Sequence, residues 1–229
     1  MQSSKMAVLM LHDTHLVTDR GGRCLVYRHP HDAHLLIKVV KPKYRVRNTR
    51  KVRLVRKVRS INRYRLSKCY IREVIESMQL KFKDNCSAPT FLQQVVGLVD
   101  TNLGFGLVVK AEMSRDGGYA KTLTTLIQTN HFSASVKKKL DEFYDALAAC
   151  DVIVTDCAPQ NLVYAYDDVV GDHFVLIDGV GEKTLIPILR IMPTFLRKKN
   201  RLNQIERLKK RVSDSLKSTS GTSVPHNIK

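Results

Sequence analysis

No apolar run in this chain is long enough to cross a membrane: the uninterrupted stretches reach about five residues, as from Ala7 to Leu11, against the roughly 20 of a spanning helix. The first residues also lack the long apolar stretch of a signal peptide, so a cytoplasmic location is expected. The five cysteines, Cys24, Cys69, Cys86, Cys150 and Cys157, are odd in number, scattered, and never spaced C-x-x-C. Neither a disulfide framework nor a zinc site is suggested, and reduced thiols suit a cytosolic protein. Acidic residues are missing altogether between Lys41 and Arg72, where fourteen Lys or Arg account for most of the net charge of +18. No internal repeat is present. What remains is ordinary globular material: 229 residues with 43% hydrophobic content, enough for one large or two small lobes around a real core.

The first forty residues read as an antiparallel meander. Ala7 to Leu11, Leu16 to Thr18, Cys24 to Tyr27 and Leu35 to Val40 are short apolar or β-branched runs, separated by Asp19-Arg20-Gly21-Gly22 and His29-Pro30-His31-Asp32. From about Val46 apolar residues recur at spacings of three and four, through Val52, Val55, Val58, Ile61 and on to Met78, which predicts one or two basic amphipathic helices. Two strands are expected at Phe91 to Val99 and Phe105 to Ala111, joined by a turn at Asp100-Thr101-Asn102. Helices follow at Leu123 to Thr129 and Ser135 to Cys150, then short strands at Val152 to Val154, Leu162 to Tyr164 and Phe174 to Ile177. Leu202, Ile205, Leu208, Val212 and Leu216 mark a last basic amphipathic helix. The order predicts an α+β arrangement in two lobes: residues 1–112, an antiparallel sheet with the basic helix; residues 113–217; and a Ser/Thr/Gly-rich tail, 218–229, expected to be disordered.

The chemistry is concentrated between Val152 and Gly181, where Asp156, Asn161 and Asp178 stand at the ends of short apolar strands. Oxygen-bearing side chains held on neighbouring strand ends are what a divalent metal and a phosphorylated nucleotide require. The run Asp156-Cys157-Ala158-Pro159-Gln160-Asn161-Leu162-Val163 resembles the protein-kinase catalytic loop, D-x-K-P-x-N-[IL]-[LV]. Seventeen residues beyond Asn161, Ile177-Asp178-Gly179 is placed like the strand and metal-binding aspartate of the D-F-G motif. The likeness is closer to the YrbL family, small bacterial kinase-like proteins of the PhoP regulatory network. IVTDCAPQNLVY, FVLIDGVGEKTLIPIL and FLRKKNRLNQIERLKKR resemble its C-terminal half, and GGRCLVYRHPHDAHLLIKVV its N-terminal half.

That resemblance implies a two-lobed protein-kinase-like fold with a compact, shortened C-terminal lobe, and ATP with Mg²⁺ between the lobes. It makes Asp156 the catalytic base for the attacking hydroxyl, and Asn161 and Asp178 the metal ligands. Lys38 in HLLIKVV takes the place of the phosphate-pairing strand lysine. Its expected partner is Glu73, the first acid after the basic run, with Glu76 second. Gly21 and Gly22 form the candidate phosphate loop, although G-x-G-x-x-G is absent. The chain departs from the kinase pattern at Thr155 in place of arginine, Ala158 in place of lysine, and Gly179 in place of the switch residue. The function the resemblance implies is ATP- and Mg²⁺-dependent phosphotransfer to an unidentified acceptor, in a regulatory role. Two alternatives stand beside it: a catalytically inactive nucleotide-binding scaffold, and a basic nucleic-acid-binding protein.

The basic run offers a surface for nucleic acid, with Tyr44, Tyr64 and Tyr70 available to stack on bases, or for an acidic protein or an anionic lipid headgroup. Arg197 to Arg211 adds a second basic surface. His29, His31 and His34 read as exposed turn residues rather than metal ligands, and Cys157 as a passive small residue.

Overall fold

The computed structural model describes residues 8–18, 22–42, 59–82, 90–182 and 188–220, with backbone alone at 59–69 and 220. Gly21, the predicted helix start near Val46, residues 43–58 of the basic run and the tail 221–229 lie outside the described residues. The chain is α+β, as expected, and divides into two units. One comprises Met1–Ser77 with Gln94–Ala111, the other Met78–Gln93 with Glu112–Lys229.

The first unit is built on a five-stranded antiparallel sheet in the order β1-β2-β3-β5-β4. Its strands are β1 (Leu16–Thr18), β2 (Cys24–His29), β3 (Asp32–Val40), β4 (Val95–Val99) and β5 (Gly106–Lys110). Period-two alternation along β3 divides its side chains between two apolar clusters. Leu35, Ile37 and Val39 join Leu11, Tyr27 and Val108 on one face. Leu36 and Val40 join Leu107 and Val109 on the other, with Tyr70 and Val74 of helix α1 (Arg59–Phe82). Asn102 does not simply close a hairpin: its side chain accepts from Leu11 N at 2.8 Å and donates to Leu11 O at 3.0 Å, tying the N-terminal segment down. Over the described part of the first expected strand, residues 8–11, no strand forms: Leu9 makes an isolated parallel bridge with Thr101.

The second unit carries the sheet β6-β7-β8, with β6 (Lys121–Thr122), β7 (Leu162–Asp167) and β8 (Gly171–Leu176), and the helices α2 (Leu123–Gln128), α3 (Ala134–Ala149), α4 (Ile188–Ile191) and α5 (Thr194–Ser220). Thr122 and Ser133 cap α2 and α3, their hydroxyls accepting from Thr125 N and Val136 N. The predicted stripe Leu140, Phe143, Tyr144 and Leu147 is the buried face of α3, in one core with Val152, Val154, Leu162, Phe174 and Leu208.

Three expectations are corrected here. Phe91 to Val99 is not one strand: Leu92 bridges Leu176 in the second unit, whereas β4 begins at Val95 in the first. Val152 to Val154 is apolar and buried but is not a strand: it makes the isolated bridge Val154–Val180 and the bond from Gly181 N to Ile153 O. Leu202 is 42% exposed; the buried stripe of α5 runs Arg201, Ile205, Leu208 and Val212 instead.

Candidate functional site

In the first unit, the same alternation that puts Ile37 and Val39 on one face puts Lys38 on the face covered by α1. Tyr70 fixes the helix there: its hydroxyl accepts from Val40 N at 2.8 Å and donates to Phe105 O at 3.1 Å. One turn later Glu73 meets Lys38, with Oε2 2.9 Å from Nζ. The two side chains are only 11% and 12% exposed. Removing both charges from water costs several kcal/mol per ion, which their attraction offsets at best, so an apolar pair would serve stability as well. Glu76 is also buried. Gly22 precedes β2, and a Cβ placed there would meet nothing within 4 Å.

In the second unit, Asp156, Asn161 and Asp178 are held by one short network. Thr155 N and Asp156 N both donate to Gly179 O, at 2.9 and 3.3 Å, and Gly181 N donates to Ile153 O at 2.8 Å. The Thr155 hydroxyl bonds Gly179 O and Gly181 O at 3.3 and 3.0 Å. Where the kinase pattern has arginine, threonine therefore fastens the two loops together. Gly179 has φ +88°, and a Cβ there would collide with the carbonyl of Asp156, so both backbone conformation and close approach require glycine. Pro159–Asn161 forms a 3₁₀ turn leading into β7, and Ile177 N donates to Asn161 O at 2.8 Å. Leu162 pairs with Leu176, so Asn161 and Asp178 emerge at the same end of the β7–β8 hairpin. The Asn161 amide donates to Asp156 O at 3.1 Å, which leaves its Oδ1 facing elsewhere as an oxygen donor. Asp178 Oδ1 accepts from Gly179 N at 2.6 Å.

Helix α5 supports this loop at three points that sequence reasoning did not single out. Arg197 grips Asp151 through Nε and NH2 at 3.0 and 2.7 Å, and Arg201 reaches the same carboxylate at 3.1 Å. Asn200 donates to Val154 O at 3.4 Å. Arg211 NH1 lies 3.8 Å from Asp156 Oδ1, with both side chains partly exposed. Arg211 sits three residues after the buried Leu208, and that spacing was the available signal for its direction. For Asp151, the signal was an acid standing alone between α3 and an apolar run.

Burial pushes the Cys157 thiol up to about 12, the Asp156 carboxylate adding to the effect and Arg211 opposing it. It is a protonated, packed side chain, not a reactive thiolate. Ala158 is completely buried. Among the described residues no group of three His, Cys, Asp or Glu side chains is placed to hold a metal, which includes the histidine-rich turn. Asp178 and Asn161 carry a carboxylate and an amide oxygen, hard donors of the kind that Mg²⁺ takes together with phosphate oxygens and water.

The model of the PhoP regulatory network protein YrbL family matches residues 9–213. No curated protein matches the chain. Among the described residues no helix is long and apolar enough to cross a membrane.

Proposed function

The chain belongs to this PhoP regulatory network protein YrbL family, and from that premise we propose that it is a kinase-like regulatory protein that binds ATP with Mg²⁺ and transfers phosphate. The observation that carries the reading is the Lys38–Glu73 pair, two charges sunk into an apolar face where stability does not ask for them. Charged groups kept in such places are candidates for function. The Lys38 ammonium would donate to phosphate oxygens, with Glu73 fixing its position. Asn161 and Asp178 would hold Mg²⁺, which when bound neutralises charge on the phosphates. Asp156 would take the proton of the acceptor hydroxyl as its oxygen bonds to the terminal phosphorus and the bond to the ADP oxygen breaks.

The test is labelled ATP with Mg²⁺, read as autophosphorylation or release of phosphate. Asp156→Ala should lower the rate at least ~100-fold, and an unchanged rate would sink the assignment. One observation favours a nucleotide-binding scaffold without turnover as second reading: Ala158, buried where the kinase loop carries lysine, adds no charge to the site. That reading requires nucleotide binding with no transfer in either protein.

A further inference from the structure

The outer surface of the C-terminal helices combines two features that charge alone does not explain. Ile188 and Ile191 on α4, and Phe195 and Leu202 on α5, are large apolar side chains between 42% and 74% exposed. On α5, Phe195, Lys198, Lys199 and Leu202 follow spacings of three, one and three, so they lie on one stripe about two turns long. Lys198 and Lys199 are exposed and make no ion pair with another described residue. The stripe lies about a quarter-turn round α5 from the buried Arg201, Ile205, Leu208 and Val212, so its side chains are exposed while the helix stays anchored to the core.

We propose that this face docks on the surface of an anionic membrane, with Ile188, Ile191, Phe195 and Leu202 entering the headgroup boundary and Lys198 and Lys199 meeting lipid phosphates. A protein interface concentrates apolar residues at its centre and is depleted of lysine there. Here Lys198 and Lys199 flank the line of Phe195 and Leu202 on either side, where long stems carry the ammonium groups to lipid phosphates while the apolar side chains enter the headgroup boundary. Nucleic acid would satisfy the lysines but gives no reason to expose two isoleucines and a leucine. The attachment is peripheral, since no described helix can span a bilayer. It does not depend on phosphotransfer.

The test is sedimentation of the full chain with vesicles of phosphatidylcholine alone and of phosphatidylcholine with phosphatidylglycerol. Binding is expected only with the anionic vesicles. Lys198→Glu combined with Lys199→Glu should weaken it roughly 30-fold or more, from the attraction of each lysine to such a surface. Phe195→Ser with Leu202→Ser should weaken it comparably without lowering the melting temperature, as both side chains are exposed. The proposal is overturned if wild-type protein stays in the supernatant with anionic vesicles. It is also overturned if either double variant sediments like the wild type, which would place binding on the other basic run. Loss of RNA binding with unchanged sedimentation in the lysine variant would assign the face to nucleic acid instead.

Discussion

Gly179→Ala is the sharpest perturbation of the loop that carries Asp156. Two costs add. A residue with a Cβ at φ +88° loses about 1–2 kcal/mol by adopting the left-handed region. Its methyl group would also be driven into the Asp156 carbonyl, closer than van der Waals contact permits, and relief of such overpacking costs about 1–3 kcal/mol. Gly171 supplies the control. It has φ +75°, opens β8 opposite Asp167, and a Cβ there meets nothing within 4 Å. Gly171→Ala should therefore cost the first amount only, and Gly179→Ala about 2–5 kcal/mol, both measured by urea unfolding followed by circular dichroism. Because the collision pushes Gly179 away from the loop, the amides of Thr155 and Asp156, which donate to Gly179 O, should also exchange faster in Gly179→Ala. Equal destabilisation by the two substitutions, with those amides still protected, would refute the close packing of the two loops.

Other consequences are simpler. Asp151→Ala leaves Arg201, whose side chain is 4% exposed, without its carboxylate, and should cost about 3–5 kcal/mol in the same urea assay; a loss below about 1 kcal/mol would contradict the hub role. Cys157 should resist thiol reagents in the native protein at neutral and mildly alkaline pH and react only on unfolding, whereas the partly exposed Cys24 should react in the native protein. The raised thiol pKa also sets a sign. Folded Cys157 keeps its proton above the ordinary value of 9.0 while the unfolded chain releases it, so this contribution to stability is full below 9.0 and is lost as pH rises toward about 12. Cys157→Ala should flatten the alkaline part of the stability profile, and an unchanged profile would refute the burial argument.

The parts legible in the sequence were those with a strong local period or a fixed spacing. The alternation in β3 and the helical stripe of α3 have one buried face each, so their periods report directly on burial. Asp156, Asn161 and Asp178 were legible because a loop motif keeps its order whatever surrounds it, and the structure brings them into one hydrogen-bonded network. Glu73 could be chosen because it ends an uninterrupted basic run, and it lies against Lys38. Long-range competition hid the rest. Phe91 to Val99 looks like one strand, but its two ends pair with different sheets. Leu202 looked buried because composition favours leucine over arginine in a core. The decisive fact was Asp151, fifty residues earlier, whose charge draws Arg201 inward and turns Leu202 toward solvent.

The central claim is that this chain binds a nucleotide with magnesium, and a thermal shift tests it most directly. At about 100 times its dissociation constant a ligand adds about 2.7 kcal/mol to stability, which for a chain of this size raises the melting temperature by roughly 5–10 °C. ATP or ADP at millimolar concentration should produce that rise with Mg²⁺ present. Asp178→Ala should abolish the Mg²⁺-dependent part, and Lys38→Met should reduce the whole. If neither nucleotide moves the melting temperature of the wild-type protein, with or without Mg²⁺, the kinase-like site is contradicted.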